Sequence, residues 1–86
     1  MPLYFSAHTT ACLSKQALRA LMERLLASTD LKVRRLVASQ IGGRMIIEAE
    51  SPDRLTLEKW LDAHHMNCEW IMPIDLDARD GAVKQY

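Results

Sequence analysis

The sequence predicts an α+β domain in which two helices cover one face of a four-stranded antiparallel sheet, in the order β-α-β-β-α-β. Three observations predict it. Residues 32–50 read as two extended runs, KVRRLVASQ and RMIIEAE, joined at Ile41-Gly42-Gly43-Arg44, where paired glycines suit a tight hairpin turn. Two other stretches repeat apolar residues at helical spacing: Leu18, Leu21, Met22 and Leu25, then Leu57, Trp60, Leu61 and His64. The runs at 2–8 and 69–74 alternate with the period of strands.

In the first run, Leu3, Phe5 and Ala7 share one face and Tyr4, Ser6 and His8 the other. After the polar connection 9–12, Ser14 is a candidate N-cap, with Leu13 placed to staple onto Leu18. The helix should end near Ser28, and Thr29-Asp30 turns the chain into the hairpin. With Gly42 and Gly43 as the turn, Gln40 faces Met45, Ala38 faces Ile47, Leu36 faces Ala49 and Arg35 faces Glu50. One side of the ribbon then gathers Leu36, Ala38, Met45, Ile47 and Ala49 as a core face, and the other gathers Arg35, Val37, Ser39, Ile46, Glu48 and Glu50.

The second helix opens with Ser51 as cap, Pro52 at the first helical position and Asp53 near the positive helix end. Asn67 is placed to end it. The final strand puts Trp70, Met72 and Ile74 on one face and Glu69, Ile71 and Pro73 on the other, and alternation alone does not choose the inward face. Pro73 cannot donate to a ladder, which points to an edge or a strand end. We take residues 1–76 as the folded domain and residues 77–86 as a polar C-terminal tail or an arm ordered by a partner.

A composition of 49% hydrophobic and 26% charged residues is that of an ordinary globular chain rather than a disordered one. Eleven basic residues balance eleven acidic ones without a Lys/Arg block, so charge gives no reason to expect nucleic acid or an anionic membrane as partner. No run approaches the length of a membrane span, and the first residues lack signal-peptide features, so a cytoplasmic location is expected. Cys12 and Cys68 form no Cys-x-x-Cys pair and read as reduced thiols. A chain of 86 residues buries only about 60–65% of its unfolded surface, so a second copy would supplement its core. An open sheet face bearing Tyr4, Val37, Ile46 and Trp70 or Ile71 is apolar enough to predict a homodimer through the sheets.

The segment RMIIEAESPDRLTLEKWL, a strand ending in a small-acidic pair before a capped helix, and the closing EWIMPIDL resemble the ferredoxin-like dimeric α/β barrel superfamily of small bacterial proteins. This group includes muconolactone isomerase-like proteins, antibiotic-biosynthesis-type monooxygenases and a small nickel-binding family. The resemblance spans residues 2–76. It implies a homodimer enclosing a small hydrophobic or aromatic ligand, with isomerase or monooxygenase-like activity as one outcome, and the fold by itself does not fix which.

The candidate site is an open-face cluster of Tyr4, Ser6, His8, Ser39 and Glu48. A histidine held by a carboxylate can act as general base, so His8, Tyr4 and Glu48 are the catalytic candidates and Ser6, Ser39, Val37, Ile46 and Trp70 the ligand-binding ones. The alternative is that these are polar contacts in a dimer interface. No cofactor is expected. His64, His65 and Cys68 are weak metal candidates, because adjacent histidines diverge by about 100° on a helix and the spacing is not that of a structural zinc site. A metal sensor or a purely structural dimer is the second reading. Pro2 resembles the N-terminal proline base of tautomerases over three residues only. Arg34-Arg35 reads as a solvated pair.

Overall fold

The computed structural model describes residues 1–86. Strand β1 (Leu3–Thr9) leads to helix α1 (Lys15–Ala27), the hairpin β2 (Lys32–Ser39) and β3 (Arg44–Glu50), helix α2 (Arg54–Ala63) and strand β4 (Trp70–Ile74). A second hairpin follows, β5 (Leu76–Arg79) and β6 (Ala82–Gln85). The main sheet has the order β2-β3-β1-β4, and every neighbouring pair is antiparallel. The chain is thus α+β, with two helices, a four-stranded antiparallel sheet and a separate two-stranded one.

Both helices begin where a side chain accepts an otherwise free backbone N–H. Ser14 Oγ accepts from Ala17 N at 3.1 Å. At α2 the cap is Asp53 and not Ser51: Asp53 Oδ1 accepts from Thr56 N at 2.7 Å, and this bond holds the Asp53 carboxyl below its ordinary pKa. Ser51 is buried two residues earlier, where its hydroxyl donates to Asp53 O at 2.7 Å. The helix stripes fall as their spacing predicts, with Leu18 and Leu25 buried from α1 and Leu57, Trp60 and Leu61 from α2. They close over Met45, Ile47 and Ala49, each fully buried on β3. Trp60 keeps its indole N–H satisfied by donating to Ser28 Oγ at 2.9 Å.

The hairpin forms with a register two residues away from the expected one. Ala38 faces Met45, Leu36 faces Ile47 and Arg35 faces Glu48. A shift of two preserves which side chains share a face, so Met45, Ile47 and Ala49 remain the core side. The connection spans four residues, 40–43, and only Gly43 takes a positive φ, +66°. Gly42 makes room for a side chain: a Cβ there would stand 2.9 Å from Ser39 Oγ, which accepts the Gly42 N–H, so that hydroxyl would have to move. A β-bulge between Val33 and Arg35 then restores Val33 to the core side, opposite Ala49, and leaves Arg34 beside Glu48 and Glu50. The Arg35–Glu50 contact expected from the sequence is therefore absent, and Glu50 pairs with Lys32 at 3.5 Å instead.

The C-terminal stretch is ordered. Asp80 and Gly81 both adopt positive φ, +55° and +78°, the conformation a two-residue hairpin turn demands. Tyr86 N donates to Asp75 O at 2.8 Å, and Arg34 Nη1 donates to the Tyr86 hydroxyl at 3.2 Å, tying the hairpin back to β2.

Candidate functional site

Pairing of β1 with its two neighbours decides where the predicted site residues go. Tyr4, Ser6 and His8 stand opposite Ala49, Ile47 and Met45, so they point to the helix side, while Phe5 stands opposite Glu48 on the open side. The expected cluster is therefore divided between two faces: Tyr4, Ser6 and His8 lie under the helices, and Ser39, Val37, Ile46 and Glu48 lie on the open face. The physical reason is that β1 is a central strand covered on both sides, with Leu3 and Ala7 buried as well as Ser6 and His8, so hydrophobicity could not reveal its inward face. The β4 pairing also settles the open question there. Ile71 packs on the core, and Trp70, Met72 and Ile74 face outward opposite Ala7, Phe5 and Leu3.

His8 is fully buried and bonded at both ring nitrogens. Its Nδ1 lies 2.6 Å from Asn67 O, a carbonyl that can only accept, so Nδ1 carries the proton. Nε2, 2.7 Å from Ser6 Oγ, is then left to accept the serine hydroxyl. Burial lowers the His8 pKa from 6.5, opposed by the bond to Asn67 O and the charge of Glu69. The result is a neutral imidazole that locks β1 to the connection after α2. Tyr4 packs against the core cluster, away from His8's ring bonds.

On the open face, Glu48 is 7% exposed and meets the Arg34 guanidinium at 3.7 Å. Beside it Phe5, Arg35, Val37 and Ile46 line a recess of about 130 Å³. Trp70 and Met72 continue the apolar surface and remain exposed.

The larger concavity lies on the other side, between α1 and the segment linking α2 to β4. It has a volume of about 590 Å³. Ala17, Ala20 and Leu21 of α1, with Leu13 just before its cap, form one wall; His64, His65, Met66 and Asn67 form the opposite wall; Thr9 at the end of β1 and Thr10 after it close the floor, and Arg24 stands at one end. Thr10 is 4% exposed and its hydroxyl has no hydrogen-bond partner. A buried, unpartnered hydroxyl is uncommon and costly, and here it belongs to a residue on a cavity wall.

The metal candidates separate. His64 caps α2 with its ring edge-on to Trp60 at 4.8 Å between centroids, His65 is exposed at a positive φ of 58°, and the Cys68 thiol points to Trp70 O at 3.4 Å beside a different surface recess. No three His, Cys, Asp or Glu side chains gather as a metal-binding set. Burial raises the Cys68 thiol pKa, which disfavours a thiolate there. No helix is long and apolar enough to cross a membrane.

Sequence reasoning missed Thr10, Arg24 and Asn67. Ser6 and His8 at i and i+2 on one strand was the available signal for their pairing, since that spacing puts both on one face. Nothing in the sequence marked Thr10.

The fold and cleft together define a small α+β protein whose helix side carries a half-apolar concavity of about 590 Å³, with a second of about 400 Å³ along α1. The chain matches no protein-family model, and neither curated proteins nor solved structures include one that matches it.

Proposed function

We propose that this is a small-molecule-binding protein whose ligand occupies the cleft between α1 and the α2–β4 connection. The cleft itself carries the reading; Thr10, one of its lining residues, adds a hydroxyl that has no partner and is shut off from solvent, so it meets a ligand only by turning about χ1. The cleft's volume of about 590 Å³ lies within the range of small-molecule sites, and its mixture of apolar wall and few polar groups is theirs too. Binding is favoured over turnover: His8, the expected base, is fully buried with both nitrogens engaged. An isomerase or monooxygenase-like activity would need this histidine freed.

The strand order β2-β3-β1-β4 is that of a ferredoxin-like domain and supports the proposed kinship with dimeric α/β barrels. A homodimer through the open face is favoured by its exposed Val37, Trp70 and Met72 next to Phe5 and Ile46. The two free thiols fit a cytoplasmic setting. A fragment screen by thermal shift on the wild type and on Ala20→Trp tests the binding reading. Fragments that raise the wild-type Tm should lose their effect in Ala20→Trp, and fragments that stabilise both equally would refute the site.

A further inference from the structure

We infer that the cleft takes a small organic monoanion, a carboxylate on an apolar body, with the carboxylate at Arg24 and the body along Leu13, Ala17 and Ala20. This rests on the reading that the cleft is a binding site and adds the chemistry of what it binds.

The charge content of the walls points that way. Arg24 is the one permanently charged residue among those lining the cleft; the only other titratable groups there are the imidazoles of His64 and His65, and no Asp or Glu contributes. Arg24 takes part in none of the chain's ion pairs, a condition it shares with Arg35 on the open sheet face, whereas Arg19, Arg34, Arg44, Arg54 and Arg79 each have a carboxylate partner. Arg24 is exposed, and its Nη2 donates to His64 O at 3.3 Å, so the side chain reaches from the last turn of α1 to the end of α2 along the cleft's rim. A single backbone bond leaves most of the five N–H donors of a guanidinium free, in the planar fork that matches a carboxylate.

The rest of the lining selects against larger anions. There is no lysine and no second arginine to share the charge of a phosphate ester, while Leu13, Ala17, Ala20, Leu21 and Met66 supply an apolar wall. Ala17 and Ala20 lie three residues apart on one helix flank, and their short side chains leave the width that a ring or branched chain would fill. At the floor, rotation of Thr10 about χ1 exchanges its methyl and hydroxyl groups and presents the unpartnered hydroxyl to a second acceptor on the ligand.

Calorimetric titration of hydrocinnamate, hydrocinnamamide and phenylpropylamine into the wild type, Arg24→Gln, Arg24→Lys and Ala17→Trp tests this. Hydrocinnamate should bind at least about tenfold more tightly than its neutral amide, the difference expected for a charge-assisted pair. Arg24→Gln should erase that preference and leave the amide's affinity unchanged, Arg24→Lys should retain part of it, and Ala17→Trp should abolish binding of both. Equal affinity for acid and amide, with both lost in Ala17→Trp, would overturn the anion inference and leave the cleft reading standing. Acid binding that persists in Ala17→Trp would instead overturn the cleft reading. Tighter binding of the amine, or no heat from any of the three, also contradicts the inference.

Discussion

Ser6 Oγ and His8 Nε2 stand 2.7 Å apart on the helix side of the central strand, both residues buried, with the other imidazole nitrogen 2.6 Å from Asn67 O. A serine, a neutral histidine and an orienting acceptor in line would look like a nucleophile and its base if the hydroxyl met solvent. Here it meets the core. The chain uses the arrangement to pay for two polar side chains in a region otherwise filled by Met45 and Ile47. Ser6→Ala would leave the Nε2 lone pair without a donor and should destabilise the protein by about 1–3 kcal/mol in urea unfolding, more than an exposed Ser→Ala change.

The same histidine sets a pH dependence. Its folded pKa lies below 6.5 because burial disfavours the imidazolium, while the unfolded chain titrates near about 6.5. Below that pH the unfolded state takes up the proton first, so stability should fall as pH drops through and below about 6.5, and His8's contribution should be complete above it. Urea midpoints measured from pH 8 down to pH 5 should decline more steeply in the wild type than in His8→Leu. Parallel curves would mean that His8 is not held neutral.

The two loop glycines differ in kind. Gly43 needs its positive φ of +66°, and an added Cβ would also meet Ala11 Cα at 3.4 Å, so Gly43→Ala should cost about 1–2 kcal/mol. Gly42→Ala meets Ser39 Oγ at 2.9 Å and should break the bond that this hydroxyl accepts, yet Gly42→Ala with Ser39→Ala should recover part of the loss. Non-additivity in thermal melts of the single and double variants is the check.

An aspartate at Trp70, on the edge strand of the exposed apolar sheet face, should convert the proposed dimer to a monomer without unfolding it, because Trp70 points away from the core that Ile71 joins. Native mass spectrometry of wild type and Trp70→Asp reads this directly. A wild-type monomer, or a dimer indifferent to the change, removes the open face as the interface.

Much of the fold was legible. Helix stripes such as Leu57, Trp60 and Leu61 could be read because a helix covered on one side advertises its buried face by spacing. The hairpin faces were legible for the same reason, while its register was not: a two-residue slip leaves both faces intact, so patterning cannot detect it, and the Arg34 bulge is invisible to alternation. The expected cluster divides at β1, where burial on both sides erased the contrast between Tyr4, Ser6, His8 and Leu3, Phe5, Ala7. Residues 77–86, expected as a polar tail or an arm ordered by a partner, pair as a hairpin about the Asp80-Gly81 turn, and their polar composition offers no apolar alternation from which its strands could be read. Thr10 could not be found at all, since a missing hydrogen bond is a property of the assembled neighbourhood.

The most direct measurement of the central claim is an amide-resolved NMR titration of the ¹⁵N-labelled protein with hydrocinnamate. Saturable shifts should concentrate at residues 9–10, 13–24 and 64–67, the three segments that wall the cleft. Shifts confined to Phe5, Val37, Ile46 and Trp70 would place the ligand on the open sheet face and contradict that claim.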